Sequence, residues 1–349
     1  MREKMSDLNL KIDALSKTGE WLLQNDSPEL EFAALKSQTE NPWFTLENIR
    51  LSTKSIAEQF LKKRKLEEWL NNYSINQDLS VKSIGLIMAG NLPLVGFHDF
   101  LTVYLSGYKA QIKLSSKDQF LLPCIVEKIA AYDPGIKEQI IFVEKIKAPD
   151  AAIATGSGNS ARYFEYYFRD IPHIIRKNRN SVAVLSGNET DEELLGLGDD
   201  VFQYFGLGCR SVSALFVPQN YSFKRMMELF REHWSMLNNH VKYRNNYEYN
   251  LACALMESKK LIVGDDLLLF EESSFISRIA CLHYSQYQSI DEVKSILNGN
   301  DEDIQCVVSN VLSHNEVQPQ LVCFGQAQQP GLMDYADGVD TMEFLLSMK

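Results

Sequence analysis

The sequence lacks a CxxC pair, and its six cysteines are spread through 349 residues, which argues against both a zinc cage and a secreted disulfide framework. No metal site is expected. It also lacks an excess of positive charge: 35 Lys and Arg stand against 46 Asp and Glu, a balance of −11. Such a surface repels phosphate backbones and anionic lipid, so neither nucleic acid nor membrane is expected as a partner. No apolar run approaches the roughly 18 residues of a membrane span, and the start, MREKMSDLNLK, has no apolar signal core. A cytoplasmic location is expected. Internal repeats and flexible linkers are missing too.

What is present is an ordinary globular composition, 45% hydrophobic and 23% charged, in a chain long enough for about two domains at roughly 150 residues each. Residues 1 to 76 read as helices, with Ser27 as a cap ahead of Pro28 and a break at Asn41-Pro42. Ser52 to Trp69 has helical spacing, and KKRK at 62–65 falls on its wet face. From Leu79 the character changes. Short apolar runs near 82–88, 110–114, 140–144, 150–154, 181–185, 212–217, 279–283, 304–309 and 320–324 read as strands. Helical patterns at 94–106, 118–131, 160–168 and 191–205 lie between them. This alternation predicts an α/β architecture with largely parallel sheets.

Three segments could carry chemistry. Gly90-Asn91-Leu92-Pro93-Leu94 follows a strand, where ligands of α/β proteins bind, and Asn91 could aim an N–H at an oxyanion. An ordinary turn is the alternative. Thr155-Gly156-Ser157 joins a strand to a helix, a place where exposed N–H groups favour phosphate, although it matches neither common phosphate-loop pattern. Cys209 stands in a glycine-flanked turn beside Arg210, an arrangement that exposes a sulfur and favours its thiolate. The other five, Cys124, Cys253, Cys281, Cys306 and Cys323, lie in apolar runs and read as core packing.

In this order the segments resemble the aldehyde dehydrogenase superfamily over about residues 80–220. Gly90-Asn91-Leu92-Pro93 is similar to its Asn-Phe-Pro segment, whose Asn helps hold the oxyanion, and Gly206-Leu207-Gly208-Cys209 to its Gly-Gln-x-Cys nucleophile segment. Lys113-Leu114-Ser115-Ser116 is similar to its Lys-Pro-Ser-Glu strand end, which implies that Lys113 binds the adenosine ribose. Thr155-Gly156-Ser157 is similar to its phosphate turn, and Glu272 falls roughly where the superfamily holds the nicotinamide ribose. Two departures narrow the resemblance. The superfamily's Glu-Leu-Gly-Gly-Lys segment should fall at about residues 176–180, where this chain has no Glu, so the usual base for hydrolysing an acyl-enzyme is missing. The ending, from Phe324-Gly325-Gln326-Ala327 to Asp337-Gly338, resembles the acyl-CoA reductase branch, the relatives of the bacterial luminescence fatty acyl reductase subunit.

The resemblance implies an aldehyde-dehydrogenase-like fold: a helical N-terminal region and nucleotide-binding domain over 1–182, a catalytic domain over 183–322, and a segment 323–349 packing back. It also implies reduction of an acyl thioester, from an acyl-CoA or an acyl carrier, to an aldehyde through a Cys209 acyl-enzyme. Ser116 replaces the carboxylate that would repel a 2′-phosphate and Lys117 follows it, which favours NADPH. Rival readings are an acyl phosphate reductase and a non-catalytic scaffold that binds a partner enzyme. A homo-oligomer is compatible with each. His98-Asp99 reads as packing or capping rather than an acid–base pair, since adjacent helix residues point apart. Asp340 reads as the cap of a last helix.

Overall fold

Four helices open the chain, Arg2–Gln24, Pro28–Glu40, Leu46–Gln59 and Lys63–Leu70. Ser27 accepts the Leu30 N–H and Pro28 occupies the first helical position, while Thr45 caps the third helix through Asn48 N–H. The single helix read over 52–69 is in fact broken at Phe60–Lys62, because Lys62 is extended and lets Leu61 and Leu66 both turn inward. Lys62, Lys63 and Arg64 face solvent as expected, with Lys63 on Asp13 and Arg64 on Glu68.

The computed structural model describes residues 2–24, 27–75, 82–156 and 158–348. It divides the chain into two units, Met1–Asn178 with Pro330–Lys349, and Arg179–Gln329. The sequence reading set these borders at 182/183 and 322/323.

The first unit holds a sheet of β1 (Ser83–Ile87), β2 (Lys109–Lys113), β3 (Ile140–Phe142), β4 (Ala151–Thr155) and β5 (His173–Arg176), in the order β3-β2-β1-β4-β5. Every pairing is parallel. The chain runs outward from β1 to one side through β2 and β3, then returns to the other side with β4. The order therefore reverses between β1 and β4, which leaves a crevice at their carboxyl ends. Leu15, Leu22 and Trp69 of the opening helices, with Phe44 from the connection between the second and third, share one core with Ile84, Leu86, Ala110 and Ile112 of the sheet. Each fully buried side chain of this size contributes about 1.5–3 kcal/mol. Leu332, Met342 and Leu345 from the end of the chain complete that core.

The second unit carries β6 (Asn180–Val184), β7 (Val212–Pro218), β8 (Leu261–Val263), β9 (Leu268–Glu271), β10 (Cys281–Tyr287), β11 (Ile304–Val308) and β12 (Gln320–Val322), in the order β12-β11-β6-β7-β10-β9-β8. Only the β8–β9 pair is antiparallel. Alternate residues of β6 enter opposite cores, Val182 and Val184 one of them and Ala183 the other. A strand buried on both faces reads as an unbroken apolar run, which is how SVAVL appears in the sequence.

Candidate functional site

At the β1/β4 crevice the structure places three of the foreseen segments on one edge of one sheet. Met88 to Gly96 leaves β1, Leu114 to Asp118 leaves β2, and Thr155-Gly156 leaves β4. Asn91 is exposed on a tethered loop. Ser52 Oγ donates to Pro93 O at 2.8 Å, Leu94 N–H donates to Asp118 Oδ2 at 2.8 Å, and Asn41 Nδ2 lies 3.5 Å from Gly90 O and 3.4 Å from Lys117 O. Gly90 has no room for a side chain, since a Cβ there would sit 2.5 Å from Ser115 Oγ. Leu94 takes a left-handed φ of 59°, held by its bond to Asp118.

Asp118 was not foreseen. Its carboxyl is buried and pushed up to about 6 by desolvation, and Oδ1 has no partner among the described residues. The only trace in the sequence is an acidic residue two places after Ser116, which the resemblance left outside its matched segment. Through Asp118, Ser115 and Asn41, the loop that carries Asn91 and the turn that carries Ser116 and Lys117 form one packed piece.

Lys113, Ser116 and Lys117 are exposed at the end of β2. Gly156 N–H is held by Arg176 O at 3.2 Å, and the 11-residue helix Gly158–Phe168 starts directly after it. Ser157 lies outside the described residues. An exposed helix start after β4, a lysine at the end of β2, on the far side of β1, and a turn without a carboxylate make a donor set that fits a phosphate-bearing dinucleotide.

In the second unit Cys209 is half-buried in the turn that leads into β7. Its place is the amino edge of that sheet, the opposite of the first unit's arrangement. Tyr204, Phe205 and Gly206, at φ of 54°, 59° and 71°, swing the chain out of the helix Asp191–Phe202 and into this turn. Ser181 Oγ donates to Cys209 O at 3.0 Å and accepts from Cys306 N–H at 3.2 Å, joining the turn to β6 and β11. Arg210 does not stand free beside the thiol as expected. Its side chain is buried, donating to Ala327 O and to Gln320 Oε1, because an internal carbonyl on the returning chain needs a donor there.

Of the other cysteines, Cys281 and Cys306 are buried and Cys124 and Cys253 half-buried. Burial pushes the Cys281 thiol up to about 12 and that of Cys124 to about 11, which leaves both protonated and inert. Cys323 contradicts the packing reading, for it lies exposed just beyond β12, where the strand has ended and the apolar run no longer points into a core.

Glu272 follows β9 and accepts from Lys259 Nζ at 2.8 Å, a bond that holds its carboxyl below the usual range. Oε2 lies 3.6 Å from His283 Nε2, while His283 Nδ1 donates to Ser274 O at 2.8 Å. These groups border a hollow of about 180 Å³. A second hollow of about 50 Å³ runs behind Gly206 and Gly208 and shares Arg278 and Cys281 with the first. His283 and Ser181 were missed because each sits in an apolar strand run, where one polar residue gives no signal of its direction.

Two discounted features hold. His98 Nε2 donates to Leu332 O at 2.9 Å and Asp99 pairs with Arg176 at 2.7 Å, so the two point apart. Asp340 caps the helix Thr341–Ser347 by accepting from Glu343 N–H. Among the described residues no cluster of His, Cys, Asp and Glu could hold a metal ion, and no helix is long and apolar enough to cross a membrane.

No family model and no curated protein matches the chain. Solved structures do resemble it. Aldehyde dehydrogenase 21 from Physcomitrella patens, determined with the product succinate, is 13% identical with a TM-score of 0.67 over 96% of this chain and 79% of that one. An oxidoreductase from Marinobacter aquaeolei is 12% identical with a TM-score of 0.68, over 93% and 79%. An indole-3-acetaldehyde dehydrogenase determined with NAD+ is 12% identical with a TM-score of 0.67, over 95% and 79%.

Proposed function

We propose, from the aldehyde dehydrogenase fold of this chain, that it is an NADPH-dependent acyl-CoA reductase that converts an acyl thioester to an aldehyde. One observation carries the choice of reduction over hydrolysis. The connection from β5 to β6, where the usual water-activating Glu is expected, holds no carboxylate, and both Arg176, which ends β5, and Arg179 within the connection are committed elsewhere. Arg176 is buried against Asp99, and Arg179 donates to Asp301 O. An acyl-enzyme with no base to activate water persists long enough to be reduced.

In this reading the Cys209 thiolate attacks the thioester carbonyl, and the amide of Asn91 and the backbone N–H of Cys209 donate to the oxyanion. Collapse breaks the C–S bond to the leaving thiolate and leaves the acyl group on Cys209. Hydride for the next step comes from NADPH when it is bound. The thiohemiacetal on Cys209 then gives up its proton and breaks to an aldehyde and the free thiolate. Lys113, Ser116 and Lys117 would hold the adenosine ribose end, Thr155, Gly156 and Ser157 the phosphates, and Glu272, kept ionised by Lys259, the nicotinamide ribose.

The experiment is NADPH consumption against a panel of acyl-CoAs, with aldehyde trapped and identified, in the native protein and in Cys209→Ala. Aldehyde is expected from the native protein only. Turnover by Cys209→Ala, or a folded native protein that reduces no thioester, would refute the reading, and reduction of acyl phosphates alone would replace the leaving group.

A further inference from the structure

The helix Asp191–Phe202, which precedes the nucleophile turn, presents Gly196 and Asp200 one turn apart on the same face. The returning segment Phe324 to Gln328 lies against that face. A Cβ at Gly196 would sit 2.9 Å from both Gly325 N and Phe324 C, so only glycine lets the two backbones touch. Asp200 is fully buried and grips the same segment twice. Oδ2 accepts from Gly325 N–H at 2.7 Å and Oδ1 from Ala327 N–H at 2.9 Å.

That segment in turn grips the chain around Cys209. Ala327 O accepts from Arg210 Nε, and Gln328 Nε2 donates to Ser211 Oγ at 3.1 Å. Ser211 Oγ also accepts from Gly208 N–H at 3.2 Å, while Ser211 N–H returns to Gly208 O at 3.1 Å. Cys209 thus sits in a closed turn whose two outer residues and following arginine are all tied, directly or through Ser211, to a strap seated on Asp200.

We infer that Asp200 is a positioning residue for Cys209, acting through the Gly325–Gln328 strap. The inference rests on the reading of Cys209 as the nucleophile. A buried carboxylate is expensive to maintain, and two backbone donors are a modest return unless the strap they fix has a task. Burial pushes the Asp200 carboxyl up to about 7, with Asp199 on its own helix adding to that and Arg210 on the turn opposing it. The strap offers only backbone N–H groups. The ionised form, which accepts both of them, is therefore lost as the pH falls through about 7, and the seat of the strap loosens with it.

The test uses the whole chain and reads alkylation rather than turnover. Iodoacetamide labelling of Cys209 is followed by mass spectrometry from pH 5.5 to 9, with an added cysteine-containing peptide as the standard, since Cys323 adjoins the strap. In the native protein Cys209 is expected to outpace the standard by tenfold or more at pH 8, with the ratio falling through pH 7. Asp200→Asn turns an amide N–H toward one backbone donor, and should reduce the ratio at least fivefold and flatten its pH profile. Gly196→Ala wedges the strap without touching the charge, and Gln328→Ala cuts its link to Ser211. Both should lower the ratio while the standard labels as before, and they decide the matter if Asp200→Asn does not fold. Unchanged ratios and profiles in folded variants would overturn the inference and leave the nucleophile standing. A native Cys209 no faster than the free-thiol standard would overturn the nucleophile reading, and the inference with it.

Discussion

Replacing Asn91 by Ala separates chemistry from architecture unusually well. The side chain is exposed, while its loop is fixed by other residues: Ser52 on Pro93 O, Asp118 on Leu94 N–H, and Gly90 packed under Ser115. These contacts remain in the variant, and the loss of stability should stay near the scale of about 0.5 kcal/mol for exposed positions. An amide N–H that meets an oxyanion acts only when charge develops, and deleting one such donor costs about 2.7–4 kcal/mol, or roughly 100- to 1,000-fold in the chemical step. The assay is single-turnover aldehyde formation with saturating NADPH, alongside a thermal melt and a fluorescence titration of the cofactor. A large fall in rate with unchanged melting and unchanged affinity is expected. A change of less than a few-fold would mean that the segment is an ordinary turn. A rate loss matched by weaker NADPH binding would move Asn91 to the cofactor.

Two further outcomes follow from the same edge of the first sheet. Ser116→Glu puts a carboxylate on the exposed turn beside Lys117, and the ratio of kcat/KM for NADPH over NADH should drop about tenfold, or about 1.4 kcal/mol; an unchanged ratio would mean that the adenosine ribose lies elsewhere. Asp118, whose carboxyl is raised from 3.8 to about 6 by burial, favours the fold most below pH 4 and loses that contribution as the pH rises through 6. Asp118→Asn should therefore remove about 2–3 kcal/mol of pH-dependent stability between pH 4 and 7, seen by urea denaturation; a variant that keeps the native pH dependence would refute the assignment.

The strands written most plainly in the sequence are central ones buried on both faces, and the half-exposed β2 and the edge strands β3 and β12 are legible beside them. SIGLI, AAIAT, SVAV and IQCVV stand out as unbroken apolar runs, and each lies inside its sheet, between two partners. β5, β8 and β9 were not foreseen: HIIR has only two apolar residues between a His and an Arg, and LIV and LLFE are short runs parted by Gly264-Asp265-Asp266, which reads as one loop. β10 was placed two residues early, since Tyr284, Ser285 and Gln286 in its second half are polar and partly or fully exposed. At the candidate site, residue types next to glycine were legible, as with Cys209 and Asn91. Partners distant in the chain were not: nothing in GCRS indicates that Arg210 turns away to Ala327, 117 residues on.

The division of the chain also sets an order of events during synthesis. Arg179–Gln329 is one uninterrupted stretch, whereas the first unit needs Pro330–Lys349, which the ribosome delivers after the whole of the second unit. Until those residues emerge, Arg176 lacks Ala336 O and Thr341 Oγ, His98 lacks Leu332 O, and Tyr108 lacks the carbonyls of Leu345 and Met348. The half of the protein that is translated first is thus the half that finishes folding last. A released chain ending at Gln329 would hold every described partner of the Cys209 turn within Arg179–Gln329, while the core of the first unit would lack Leu332, Met342 and Leu345.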